Sequence, residues 1–125
     1  MVKAVRGAIQ VAANTREAIQ AAAIRLASAL LEANALKEES CISLIFSVTR
    51  DLNKANPASG LRTAGFHNTP LFCVQEAEVA GSMERVIRIL LTFQSEHETE
   101  PRPVYLDGAE RLRPDLAHGS APERN

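Results

Sequence analysis

Two stretches of this chain, ISLIFSVT at 42–49 and ERVIRILLTFQ at 84–94, are apolar at nearly every position. A strand of that kind is expected to be covered on both faces, whereas a half-solvated strand alternates apolar with polar. Residues 2–11, VKAVRGAIQV, read as a further strand, with Val5, Ile9 and Val11 at even spacing. TPLFCV at 69–74 and PVYL at 103–106 complete a set of five. Against these strands the chain offers one long helix, about 15–34, whose Ile19, Ala23, Leu26 and Leu30 fall on one face. Asn14 is read as its N-cap with Glu17 as the capping-box partner, and Asn34 as its stop. A short helix opens at Asn56-Pro57 and ends by Gly65. The pattern predicts an α+β domain: a five-stranded mixed sheet with one long helix and a short helix. One helix layer covers one sheet face. A chain of 125 residues has no second layer to spare, so the other face is expected to meet a partner subunit.

Residues 1–116 are read as a single domain. Residues 117–125, polar and containing Pro and Gly, are read as a flexible tail. No stretch approaches the ~20 apolar residues of a membrane-spanning helix, and MVKAVRGAIQV lacks the pattern of a secretory signal. The formal net charge of −1 argues against a general nucleic-acid binder, which needs a basic stripe to neutralise phosphates. The 11 arginines against 3 lysines, in a chain with 20 alanines, reflect compositional bias more than function, so the position of each arginine matters more than the total. Cys41 and Cys73 form no CxxC motif and are expected as thiols of a cytoplasmic protein. His67, His97 and His118 are scattered without metal-ligand spacing, so no metal is expected. No Walker loop or GxGxxG is present, which excludes a nucleotide motif, and no Cys-His or Ser-His-Asp set stands out.

The informative residues are polar ones inside apolar strands. Arg88 has aliphatic neighbours for two positions on either side, and Arg6 stands in AVRGAI beside Gly7, which permits close approach of another group. Glu76 follows the third strand directly, and Tyr105 lies within the last. Any one of them is explained by a structural ion pair or by a long side chain reaching solvent. Two arginines, a glutamate and a tyrosine on neighbouring strands form a donor set, with one acceptor, suited to a small organic dianion. Cys73, in an apolar strand without a nearby histidine, reads by itself as a small core residue.

The stretches VRGAI, TRDLN…NP…LR at 49–62, CVQEAEV at 73–79, IRILL at 87–91, VYL at 104–106 and LRPDL at 112–116 occur in this order and spacing. Together they make the chain resemble the monofunctional AroH-class chorismate mutases of bacteria over about residues 3–116. The resemblance implies conversion of chorismate to prephenate, on the route to phenylalanine and tyrosine, without metal or cofactor. It implies a homotrimer around a pseudo-α/β-barrel, with sites in clefts between subunits. It further implies that Arg88 reaches the ether oxygen of the breaking bond and that Glu76 holds the ring hydroxyl, with Cys73 beside it. Arg6 and Tyr105 would hold the enolpyruvyl carboxylate. Arg62 and Arg113 would come from the adjoining subunit, and Leu112 would form an apolar wall. Asn56 stands where the family usually has an aromatic and Ser59 where it usually has a lysine, both at the rim. Two other readings stay open: a trimeric imine deaminase of the RidA type, expected to lack LRPDL and the Arg6–Arg88 pair, and a non-catalytic trimeric binding module.

Overall fold

The computed structural model describes residues 1–115; the expected tail at 117–125 lies outside them. Five strands, β1 (Val2–Gln10), β2 (Cys41–Val48), β3 (Leu71–Gln75), β4 (Val86–Gln94) and β5 (Val104–Leu106), form one mixed sheet in the order β3-β2-β4-β1-β5. β4 runs antiparallel to both β1 and β2, while β2–β3 and β1–β5 are parallel. Helices α1 (Arg16–Ala33) and α2 (Pro57–Thr63) complete the expected fold. Two short 3₁₀ turns, Glu38–Ser40 and Ala109–Leu112, have no counterpart in the sequence reading.

The N-cap of α1 is Thr15, not Asn14: the Thr15 hydroxyl accepts from the Ala18 N–H at 3.1 Å. Asn14 instead bonds to Asn53, tying the strand-to-helix turn to the loop after β2. At the other end Asn34 does stop the helix; its N–H donates to the Leu30 carbonyl. Ile19, Ala22, Ala23, Leu26, Ala27 and Leu30 form the buried face of α1. Opposite them lie Ile87, Ile89, Leu91 and Phe93 of β4, none more than 2% exposed. Gly7 lies on this face too. A Cβ there would meet the Val104 carbonyl at 3.0 Å and Leu30 and Leu26 at 3.1 and 3.2 Å. The close approach that Gly7 permits is therefore that of α1 to β1.

The strands expected to be covered on both sides have one bare face within the chain. Ile45, Phe72, Val74 and Leu90 are 37%, 65%, 40% and 46% exposed, and the register places them on adjoining strands opposite the helix layer. Two polar clamps hold the edges. The Glu38 carboxylate accepts from the N–H groups of Asn68 and Thr69 and from the Thr69 hydroxyl. These bonds, the hydroxyl foremost, lower its pKa and fasten the entry to β3. Asp51 accepts from the Arg85 N–H while the Thr49 hydroxyl, itself bonded to Asp51, accepts from the Val86 N–H. That second clamp holds Arg85 at φ 52°, a left-handed conformation, and so sets where β4 begins.

Candidate active site

Side chains alternate across a strand, so the residues beside Arg88 on the bare face follow from register. Arg88 pairs with Ser47 on β2 and Ala8 on β1, and Ala8 pairs with Tyr105 on β5. Ser47, Arg88, Ala8 and Tyr105 thus form one row across four strands. Glu76 enters from the end of β3, held by its own N–H donating to the Val48 carbonyl at 2.8 Å. Arg88 Nε donates to Glu76 Oε1 at 2.8 Å, and Ser47 Oγ donates to the same oxygen at 3.0 Å.

That division of contacts matters chemically. The arginine uses Nε for the glutamate, and no hydrogen bond to a described residue engages Nη1 or Nη2. Glu76 uses Oε1 for both donors, and Oε2 receives no hydrogen bond from a described residue. The Glu76 side chain is 18% exposed and that of Arg88 41%. The pair therefore offers outward-facing N–H donors on a guanidinium held by a fixed carboxylate, and beside them a carboxylate oxygen able to accept from a hydroxyl.

One corner of the bare face is walled. Ala8, Val86, Tyr105 and Ala109 are buried together, with Met83 and Leu112 packed against them. Gln10, at the end of β1, donates to the Glu84 carbonyl at 3.0 Å and accepts from Arg111 at 3.4 Å, linking the two segments of this wall. Arg113 follows Leu112 and makes two hydrogen bonds to Asp115. Those bonds, then the charge of Asp115 and the neighbouring Tyr105, raise its pKa. Arg6 lies one row from Arg88, paired with Leu90, and is exposed, a long side chain reaching solvent. A cavity of about 320 Å³ adjoins Glu76, lined by Thr49, Asp51, Val79, Met83 and Glu84 among others.

Arg62 and Cys73 do not join this group within one chain. Arg62 is exposed on α2, beside a separate cavity of about 430 Å³ with His67, Thr69 and Leu71 in its lining. Cys73 pairs with Phe46, which places it on the helix-covered face, packed against the main core. Burial raises its thiol pKa, and burial with the Glu38 and Glu39 charges raises that of Cys41 to about 11. Both cysteines are free, and neither is a ready thiolate at neutral pH. Asn56 serves as the N-cap of α2, accepting from the Ala58 N–H at 2.9 Å, and Ser59 is exposed on that helix. Among the described residues no three His, Cys, Asp or Glu side chains are grouped to hold a metal ion.

Sequence reasoning passed over Ser47 and Gln10. Ser47 carried a usable signal, a hydroxyl in the apolar run ISLIFSVT. Only the β2–β4 register shows that it lies beside Arg88. The bonds of Gln10 depend on loop geometry and have no signature in the sequence.

With this geometry in hand, the comparisons with known proteins agree with one another. The family model "Chorismate mutase type I" matches residues 2–116. A protein named chorismate mutase AroH from Thermus thermophilus is 44% identical over 118 residues, covering 93% of this chain and 97% of that protein. One of the same name from Bacillus subtilis is 34% identical over 119 residues, covering 94% of each. The solved structure of a chorismate mutase from Clostridium thermocellum matches with a TM-score of 0.85 at 39% identity, over 88% of this chain and 99% of that one.

Proposed function

The chain belongs to the type I chorismate mutase family and rearranges chorismate to prephenate, and we propose that Arg88 and Glu76 act on the substrate in a cleft that a second copy of the chain completes. The observation that carries this assignment is the division of contacts between the two side chains. Nε of Arg88 is committed to Glu76 while no described residue engages its other nitrogens.

The reaction is a concerted [3,3] shift. One C–O bond breaks as one C–C bond forms, no proton moves, and no covalent intermediate arises. A site for it needs no nucleophile and no acid–base pair, which suits two cysteines whose thiols are held protonated by burial. As the C–O bond stretches, negative charge gathers on the ether oxygen. Arg88 Nη1 or Nη2 meets that charge and stabilises the transition state more than the ground state. Because Glu76 already holds the guanidinium, little reorientation is needed when the charge develops. Glu76 Oε2 accepts the ring hydroxyl, while Arg6 and Tyr105 hold the enolpyruvyl carboxylate. These contacts keep the side chain folded over the ring, converting a floppy reactant into one near attack geometry.

Arg62, Cys73, Leu112 and Arg113 act as substrate-binding groups in the same proposal. Arg62 lies away from Arg88 in its own chain, and a neighbouring copy supplies it together with Arg113, while Cys73 stands on β3 three residues before Glu76 of the same chain. The bare apolar face supports such an assembly, since exposed patches of this kind mark contact surfaces. The assembly proposed is a homotrimer around a pseudo-α/β-barrel, as the family resemblance implies. The cytoplasm is the compartment proposed, where both cysteines stay thiols; no helix among the described residues is long and apolar enough to cross a membrane.

Loss of chorismate absorbance on adding the purified protein tests the reaction directly. Leu90→Glu tests the shared site. It places a charge in the centre of the bare face, and light scattering should then give a mass near the 13.6 kDa of one chain, with circular dichroism unchanged and activity lost. A monomer that retained full activity would sink the shared cleft.

A further inference from the structure

We propose that Ser47 is a positioning residue: its hydroxyl selects which oxygen of Glu76 is left for the substrate. The inference rests on the reading of Glu76 as acceptor of the ring hydroxyl. A carboxylate on a flexible side chain can turn about its last torsion and present either oxygen to Arg88. Arg88 Nε and Ser47 Oγ converge on Oε1, at 2.8 and 3.0 Å, from neighbouring strands. Ser47 and Arg88 are a directly opposed pair in the β2–β4 ladder, so their separation is set by backbone and not by side-chain choice. Two donors on one oxygen hold the carboxylate plane with Oε2 turned out of the ion pair. Without the hydroxyl, Nε and a second guanidinium nitrogen can take both oxygens in a bidentate fork, the arrangement arginine and carboxylate favour when nothing intervenes. That fork would occupy the oxygen meant for the ring hydroxyl and an N–H meant for the ether oxygen. The hydroxyl thus holds the ion pair in a single-point geometry, and with it the two free groups the chemistry uses.

Steady-state kinetics on two substrates tests this: chorismate, and a chorismate analogue that lacks the ring hydroxyl. Ser47→Ala should lower kcat/KM about tenfold on chorismate, the scale of one hydrogen bond to a charged group. On the analogue the loss should be clearly smaller, so the preference for chorismate falls. Ser47→Thr, which keeps the hydroxyl, should restore most of that preference. Glu76→Gln, run beside them, should reduce the preference at least as far. Equal losses on both substrates for Ser47→Ala, no loss on chorismate, or failure of Ser47→Thr to rescue while Glu76→Gln lowers the preference as expected would overturn the role of Ser47 alone. Equal losses on both substrates for Glu76→Gln would remove the reading of Glu76, and the role of Ser47 with it.

Discussion

Arg88 and Ile89 are neighbours in sequence and lie on opposite faces of one sheet. The Ile89 face is complete within the chain. Its side chains are close to fully buried under α1, and Gly7 lets the helix approach until Leu26 and Leu30 would touch a Cβ. The Arg88 face is unfinished. It carries exposed Phe72, Ile45, Val74 and Leu90, one walled corner around Tyr105, and the single-point ion pair of Arg88 with Glu76. Period-two alternation lets one strand serve both purposes without compromise, because a change at one position leaves the opposite face untouched. The stable face supplies rigidity, and the bare face spends it on holding charged groups in place.

The largest expected effect tests that separation from the active side. Arg88→Ala should lower kcat by about 10²–10³, as for loss of an oxyanion donor. Its melting temperature should hardly move, since a half-exposed guanidinium contributes little packing. Arg88→Lys should also fail, because a point charge cannot bond Glu76 through one nitrogen while offering others to the ether oxygen. Kinetics together with calorimetry read both quantities. Near-normal turnover in Arg88→Ala would break the mechanism.

The matching change on the covered face is smaller and of the other kind. Ile89→Val removes one methylene from a residue 2% exposed and should cost about 0.5–1.5 kcal/mol of stability. Turnover per folded molecule should stay within about twofold of the parent. A variant that lost turnover like Arg88→Ala while staying folded would show that the two faces are coupled, and the comparison would have to be abandoned.

The same division explains what could be read from the sequence. Strands and helices were legible because apolar spacing reports burial directly: β4 was expected at 84–94 and forms at 86–94, and α1 was expected at 15–34 and forms at 16–33. Arg88 and Glu76 stood out as charges beside apolar runs, and the structure brings them together. Whether Arg6 is paired or reaches solvent stayed open in the sequence, because a strand looks identical whether its second face is covered by the chain or left bare; the structure shows it exposed. Cys73 was legible as a small core residue from its apolar strand, and its pairing with Phe46 places it against the main core. At the start of α1, Asn14 and Thr15 are both good caps, and the choice fell to the loop that engages Asn14 through Asn53.

The smallest expected effect lies at the rim, where neither face argument applies. Ser59 is exposed on α2, three residues before Arg62, so the two share one side of the helix. Under the proposed assembly that side borders the cleft. Chorismate arrives as a dianion, and an ammonium in place of the Ser59 hydroxyl would attract it. Ser59→Lys should therefore lower KM. It should leave kcat nearly unchanged, because a rim charge meets the ground state and the transition state alike. The gain should stay below about 1 kcal/mol, since the position is solvated, and the repulsion from Arg62 offsets a few tenths of it. Raising the salt should shrink the gain further, because screening at ~0.15 M sets in over about 8 Å. Kinetics at two ionic strengths separates this from an accidental contact: a direct hydrogen bond would survive added salt, whereas attraction through solvent would not. An unchanged KM at low salt would place residue 59 away from the substrate, and Arg62, carried on the same side of the same short helix, would lose its place in the cleft as well.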